Sequence, residues 1–259
     1  MDNYFEINRE SNSGLSGFIK GQNISPKNYK FQKENPMEAT AAMILGTAVH
    51  LLTLPGQDFY SEFFVFDESK RPDPLHTMLA KENKDWKADI ILNNEGKNIL
   101  TLDQFSQAQN MAESLIEEAG EYINAKGNKF EVPIMWEKLG IKMKAKIDIQ
   151  NPEFLADIKT AADSSPFKWQ RKGLWDFHYY RQASTYLDGD ADGLYTGEKE
   201  FYFLVVESKP PYLVSIHLVE KTMIAKGMTE YEHLLGVLAE CLKTDKWPHY
   251  EKELFNWEN

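Results

Sequence analysis

The chain has 259 residues, 29 basic and 40 acidic side chains and a net charge of −11; 42% of its residues are hydrophobic and 13% aromatic. That composition supports a packed core, argues against disorder, and disfavours nonspecific binding of nucleic acid over the whole surface. Cys241 is the sole cysteine, which excludes an internal disulfide, a cysteine-ligated zinc site and a four-cysteine iron–sulfur cluster.

The opening "MDNYFEINRESNSG" is polar and acidic, unlike a secretory signal. No apolar run reaches the roughly 18–20 residues of a membrane span. A soluble, cytoplasmic protein is expected. Residues 1–36 read as irregular apart from a short helix after Ser25. "MEATAAMILGTAVHLLTL" (37–54) is apolar almost all round and predicts a buried helix ended by Pro55-Gly56. "FFVF" (63–66) is a short strand. A polar stretch follows, with a helix expected around 75–86. Thr101 then caps an amphipathic helix over 102–125.

From there the period changes to two. "KFEVPIMW" (129–136), "IKMKAKIDIQ" (141–150) and "FLADIKTA" (154–161) predict three strands in an antiparallel meander, joined by short turns. Residues 164–188 read as mostly helical, and "GDADG" (189–193) as a turn. "EFYFLVVES" and "YLVSIHLV" form a hairpin around Lys209-Pro210-Pro211. A last amphipathic helix covers 221–243. The order α–β–β–β–α–β–β–α implies a mixed α+β fold, a mixed sheet flanked by helices. It is read as a single domain over 1–259: a helical part to about 125, a sheet core over 126–220 and a terminal helical part over 221–259.

Charge is unevenly spread. Residues 138–172 carry +4, against −15 elsewhere. Strand alternation puts Lys142, Lys144, Lys146 and Asp148 on one face, with Ile141 to Ile149 on the other. Asp157 and Lys159 share a face of the next strand, so the turn brings Asp148 close to Asp157. Two neighbouring carboxylates repel unless a cation lies between them, and Mg²⁺ is suited to such oxygen ligands. Lys159 would orient or help deprotonate an attacking water and offset charge on a phosphate. The competing reading is a solvated sheet face on which the aspartates pair with neighbouring lysines.

"KAKIDIQNPEFLADIKTA" resembles the core of the PDDEXK nuclease superfamily: an Asp ending one strand, then Asp-x-Lys on the next, with Ile147 where the motif's Pro sits. "GTAVH" (46–50) and "QASTY" (182–186) are similar to two motifs of its RecB-like branch. The likeness extends to the RecE-type, exodeoxyribonuclease VIII group through "SPKNYKFQKENPMEATAAMILGTAVHLLTL", "VVESKPPYLVSIHLVEK" and "AECLKTDKWPHYEKE". The resemblance implies a restriction-endonuclease-like core. It implies that His50, Asp148, Asp157 and the Ile158 carbonyl hold Mg²⁺, with Mn²⁺ as a substitute, and that Lys159 is catalytic. Glu131 matches an acidic position of the family, and Gln182 and Tyr186 would contact DNA or steady the site. Gly46 would let its helix approach the sheet. Phosphate contacts are assigned to Lys142, Lys144, Lys146, Thr160, Lys168, Arg171 and Lys172. Bland alternatives stand beside these roles: a hydrogen-bonded core His50, a surface Glu131, a core Tyr186 with a bonded Gln182, and ordinary surface lysines.

The implied activity is Mg²⁺-dependent 5′→3′ exodeoxyribonuclease action on the ends of linear double-stranded DNA, leaving 3′ single strands for recombination. The resemblance further implies a bacterial or phage-encoded homo-oligomer, a tetrameric ring, working with a single-strand annealing protein. The alternatives are an endonuclease on the same scaffold and a catalytically silent DNA-binding module. No Gly-rich phosphate loop or nucleophile elbow supports a sugar- or nucleotide-modifying enzyme.

Overall fold

Alternating residues after Asn128 build three long strands. In a computed structural model, which describes residues 8–21, 23–195 and 197–250, these are β5 (Lys129–Lys138), β6 (Ile141–Gln150) and β7 (Phe154–Ala161). They are preceded by α1 (Asn12–Leu15), a short antiparallel pair β1 (Ile19–Lys20) and β2 (Asn23–Ile24), and α2 (Pro26–Glu34). Next come α3 (Ala41–Thr53), α4 (Phe59–Glu62), β3 (Phe63–Phe66), α5 (Lys81–Asn93), β4 (Asn98–Thr101), α6 (Leu102–Glu118) and α7 (Gly120–Ile123). After β7 follow α8 (Pro166–Trp169), a π-helical turn (Gln170–Asp176), α9 (Tyr179–Asp190), β8 (Glu200–Glu207), β9 (Val214–Leu218) and α10 (Lys221–Thr244).

The main sheet has the order β5-β6-β7-β8-β9. All its neighbours are antiparallel except β7 and β8, which run parallel because α8, the π turn and α9 cross over between them. This is the expected mixed fold, a five-stranded mixed sheet flanked by helices. Helices α3 and α6 cover one face through Ala48, Val49, Met111 and Leu115, against Ile149, Ala156, Ile158 and Leu204. On the other face α9 packs through Ala183 and Leu187 on Ile147, Leu155 and Phe203, and α10 through Tyr231 and Leu235 toward Trp136 and Met143.

Several local expectations hold for physical reasons. Ser25 caps α2 through its hydroxyl. Thr101 and Gln104 form a reciprocal capping box at α6. Other expectations need correction. The start is less irregular than anticipated, since residues 12–20 fold into α1, a 3₁₀ turn and β1. The helix expected around 75–86 begins only at Lys81. Upstream, the Asn83 amide donates to the carbonyls of Asp73, His76 and Thr77 and holds 73–77 as a loop. The 102–125 helix breaks at Ala119 before Gly120. Helix α3 is not buried all round, for Ala41, Ala42 and Met43 are exposed. Strand β3 pairs with β4 in a separate parallel sheet that the sequence did not announce. Residues 1–7 and the chain beyond 250 lie outside the described residues.

One departure matters most. Ile141, Met143, Ala145 and Ile147 face the α9/α10 side, but Ile149 belongs to the opposite core. Simple alternation fails between 147 and 149. Opposite Asp148, Glu131 adopts a left-handed backbone with φ 53°, and the ladder resumes only at Phe130–Ile149. A non-glycine residue held there costs on the order of 1 kcal/mol. The distortion delivers Glu131 and Asp148 to one spot.

Candidate active site

Strands β6 and β7 are paired only at Ile149–Ala156 and Gln150–Leu155. Beyond that they separate, which leaves the β6-facing edge of β7 without a backbone partner. Buried backbone groups need other partners, and side chains supply them. Asp148 Oδ2 accepts from the Ile158 amide at 2.8 Å, and His50 Nε2 donates to the Ile158 carbonyl at 2.9 Å. His50 Nδ1 lies 3.4 Å from Asp148 Oδ2. The "GTAVH" stretch on α3 therefore reaches the opened strand edge, and His50 is part of the cluster.

His50, Glu131 and Asp148 each place a ligand-type atom within 4.8 Å of the others. Asp157, on the adjoining face of β7, is buried, ion-paired with Lys159 and hydrogen-bonded by the Gln182 amide. Three carboxylates thus converge in one small volume. Burial pushes the Asp148 carboxyl up to about 7, with Asp157 and Glu131 adding to the rise while His50 and Lys159 oppose it. For Lys159, burial alone would lower the ammonium, but Asp157 outweighs it, aided by Tyr179 and Asp148, and the net shift is upward.

This donor set suits a divalent cation. It offers two carboxylates, an imidazole and the Ile158 carbonyl, mostly hard oxygen ligands of the kind Mg²⁺ and Mn²⁺ prefer. Negative charge is in excess where a cation would sit.

The other expected residues divide. Gln182 reaches Asp157, so it belongs to the cluster. Tyr186, one turn on, lines a small cavity with Ser11, Ser13, Lys144 and Lys146. Lys146 is ion-paired with Glu131. Lys144 is only 9% exposed beside the Glu10 segment, whose backbone pairs with Lys142 and Lys144, so it is a poor contact for a phosphate. Lys142, Lys168, Arg171 and Lys172 are exposed, and Lys168 is paired with Asp163. Thr160 is partly buried facing α3. A Cβ built on Gly46 would meet Thr160 Oγ1 at 3.6 Å, an ordinary contact, so close approach does not demand glycine there.

Tyr179 is a site residue that the sequence reading missed. Its ring lies 5.1 Å from Lys159 Nζ, and its hydroxyl is raised by burial, opposed by Lys159 and supported by Asp157. The signal was available: Tyr179, Gln182 and Tyr186 follow i, i+3, i+7 spacing on one helix face.

The model of a family described as a PDDEXK-like domain of unknown function (DUF3799) matches residues 11–254. The chain belongs to this family. The PDDEXK-like domain also superposes on the crystal structure of a "Putative exonuclease" from Eubacterium rectale, with a TM-score of 0.61 and 16% identity over 96% of this chain and 86% of the other. That likeness establishes the shared fold. An alkaline exonuclease from Laribacter hongkongensis is a more distant match, with a TM-score of 0.35 and 18% identity over 70% of this chain and 92% of the other. A comparison with curated proteins gave no match. No helix among the described residues is long and apolar enough to cross a membrane.

Proposed function

We propose that this PDDEXK-like domain is a divalent-cation-dependent exodeoxyribonuclease that degrades linear double-stranded DNA from its ends. The observation that carries the reading is the opened β6–β7 edge, where His50, Glu131 and Asp148 gather beside the Asp157–Lys159 pair. The Asp157-x-Lys159 pair thus lies on an opened strand edge, where side chains take over from backbone pairing.

Each residue has a part in phosphodiester hydrolysis. Glu131, Asp148, His50 and the Ile158 carbonyl would hold the cation, with Asp157 adjoining them. Bound there, a Mg²⁺ ion supplies Lewis-acid polarisation of the scissile phosphate and neutralises its charge. Lys159 directs an ammonium toward the charge that develops on phosphorus oxygens and orients the attacking water. Gln182 fixes the Asp157 carboxylate, and Tyr179 walls the lysine. Lys142, Arg171 and Lys172 are the exposed cations that meet the DNA backbone, with Lys168 and Thr160 beside them. The negative remainder of the surface discourages DNA elsewhere.

The finer parts of the proposal rest on the resemblance to the RecE-type group. They are 5′→3′ polarity, 3′ single strands passed to an annealing protein, one domain over the whole chain, a ring-shaped tetramer and a cytoplasmic, bacterial or phage setting. Digestion of linear duplex DNA labelled separately at its 5′ and 3′ ends, with Mg²⁺ or EDTA, tests the reading. Early cation-dependent loss of the 5′ label, an intact closed circle, and inactive but folded Asp157→Ala and Lys159→Ala variants are expected. Cutting of the circle would make the protein an endonuclease. Lack of cleavage by the wild type in Mg²⁺ and Mn²⁺ would overturn the enzyme reading.

A further inference from the structure

The junction between the π turn and α9 carries features that the hydrolytic cluster does not use. Trp175 and Phe177 are 45% and 57% exposed, and the exposed Arg171 and Lys172 precede them on the π-helical turn. Large aromatic rings left in water beside cations call for an explanation. His178, between Phe177 and Tyr179, has a left-handed backbone with φ 53° and ψ 38°. Strain of this kind persists where surroundings enforce it. Here Glu230 Oε2 accepts from His178 Nδ1 at 3.3 Å.

The bend turns Tyr179 inward and Phe177 outward. Their ring centroids are 5.6 Å apart, and Tyr179 stands 5.4 Å from the buried Phe203 and 5.1 Å from Lys159 Nζ. A file of aromatic rings therefore runs from the lysine to solvent. Phe177, His178 and Tyr179 also line a cavity of about 440 Å³, whose polar edge includes Ser16 and Asp176. Lys226 Nζ lies 5.2 Å from the Trp175 ring.

We propose that this cavity is a nucleobase subsite, in which an unpaired base at the DNA strand end stacks on Phe177 while its phosphate chain continues toward Lys159. The inference rests on the nuclease reading and adds to it the form of the substrate: a strand end already released from its complement. Flat rings accept any base by stacking, and flanking cations follow the backbone, the combination by which proteins hold single strands without sequence preference. Arg171 and Lys172, exposed on the π-helical turn that leads into Phe177, would supply that charge. A terminal base pair opens only its outer face to Phe177 and carries its complement with it, whereas a released base can enter the cavity and leave its complement outside. The two centroid steps from Lys159 to Phe177 span about three stacked base rises, so the subsite lies within reach of the same few nucleotides as the hydrolytic cluster.

The test uses wild type, Phe177→Leu, which keeps apolar bulk without an aromatic face, and Phe177→Tyr, which keeps the face. Duplexes carry 2-aminopurine at the strand end, either mismatched and frayed or locked by a terminal cross-link. Binding is read in Ca²⁺ by quenching of the 2-aminopurine, and cleavage in Mg²⁺ by KM and kcat. We expect wild type and Phe177→Tyr to quench the frayed analogue. Phe177→Leu should lose the quench, with KM for frayed ends raised about tenfold and the loss falling in KM rather than kcat. The cross-linked end should not distinguish the variants. If wild type cleaves but gives no quench, or Phe177→Leu matches it in both readouts, the subsite is refuted while the exonuclease reading stands. In that case the aromatic face serves another occupant, such as a second copy of the chain. If wild type neither binds nor cleaves, both readings fall.

Discussion

Two buried polar clusters sit side by side at the N-terminal end of α9, and their carboxylates move in opposite directions. At one, Arg181 is fully buried and bonds Glu230 Oε1 at 2.5 Å, Asn12 Oδ1 at 3.0 Å and Ser16 Oγ at 2.6 Å. Tyr180 and His178 complete the shell around Glu230. Burial would raise the Glu230 carboxyl, but His178, Arg181 and Tyr180 together bring it down to about 2. At the other cluster, Asp148 is driven up to about 7 by burial and by its acidic neighbours. The first cluster is balanced and ties α1 and α9 to α10. The second gathers more negative charge than its cations offset, which a stable scaffold has no reason to assemble but a cation-binding site does.

The sharpest way to break this contrast is to disarm one member of each cluster. Arg181→Met leaves Glu230 buried without its cation and should lower unfolding stability by about 3–5 kcal/mol in urea titrations. Asp148→Asn keeps an oxygen for the Ile158 amide and relieves repulsion, so its stability should stay within about 1 kcal/mol of wild type or rise. The proposed nuclease activity should drop by at least about 10²–10³-fold. Equal stability losses in the two variants would show that both clusters are structural.

A smaller effect is expected where α9 and α10 cross. A Cβ on Gly227 would lie 2.5 Å from the Tyr180 carbonyl oxygen, a backbone atom with little freedom to move. Gly227→Ala should cost about 1–3 kcal/mol, measured as a lowered denaturation midpoint, while a similar change at the exposed Gly236, whose Cβ meets nothing, should be neutral or mildly stabilising.

The mildest perturbation is pH. Glu230 titrates lower in the folded chain than the ordinary glutamate value of about 4.3, so its contribution is complete above that value and is lost as pH falls toward 2. The stability gap between wild type and Glu230→Gln should be full at pH 6 and shrink progressively below pH 4. A gap that does not change with pH would mean that the carboxylate charge is not what holds this cluster.

Much of this architecture was legible in the chain. Period-two alternation in 129–161 and the Asp148 and Asp157-x-Lys159 spacing are local properties, set by side-chain order along a strand. Thr101 and Ser25 announced their helices because a cap needs only its own first turn. The loop held by Asn83 was not legible, since its three carbonyl partners are a matter of folding back. Nor was the near-burial of Lys144, which depends on a segment more than a hundred residues earlier.

By itself the sequence determined the strand pattern, the sheet-and-helix class and the residue types able to hold a cation and a phosphate, because these follow from local periodicity and chemistry. Only the tertiary structure decided how they meet. The left-handed turn at Glu131, the parting of β6 from β7, the reach of His50 to Ile158 and the outward set of Phe177 each depend on contacts between elements distant along the chain. A strand's own residues specify which side chains alternate. They do not specify where its neighbour leaves it, and in this protein the candidate cation site lies at that parting.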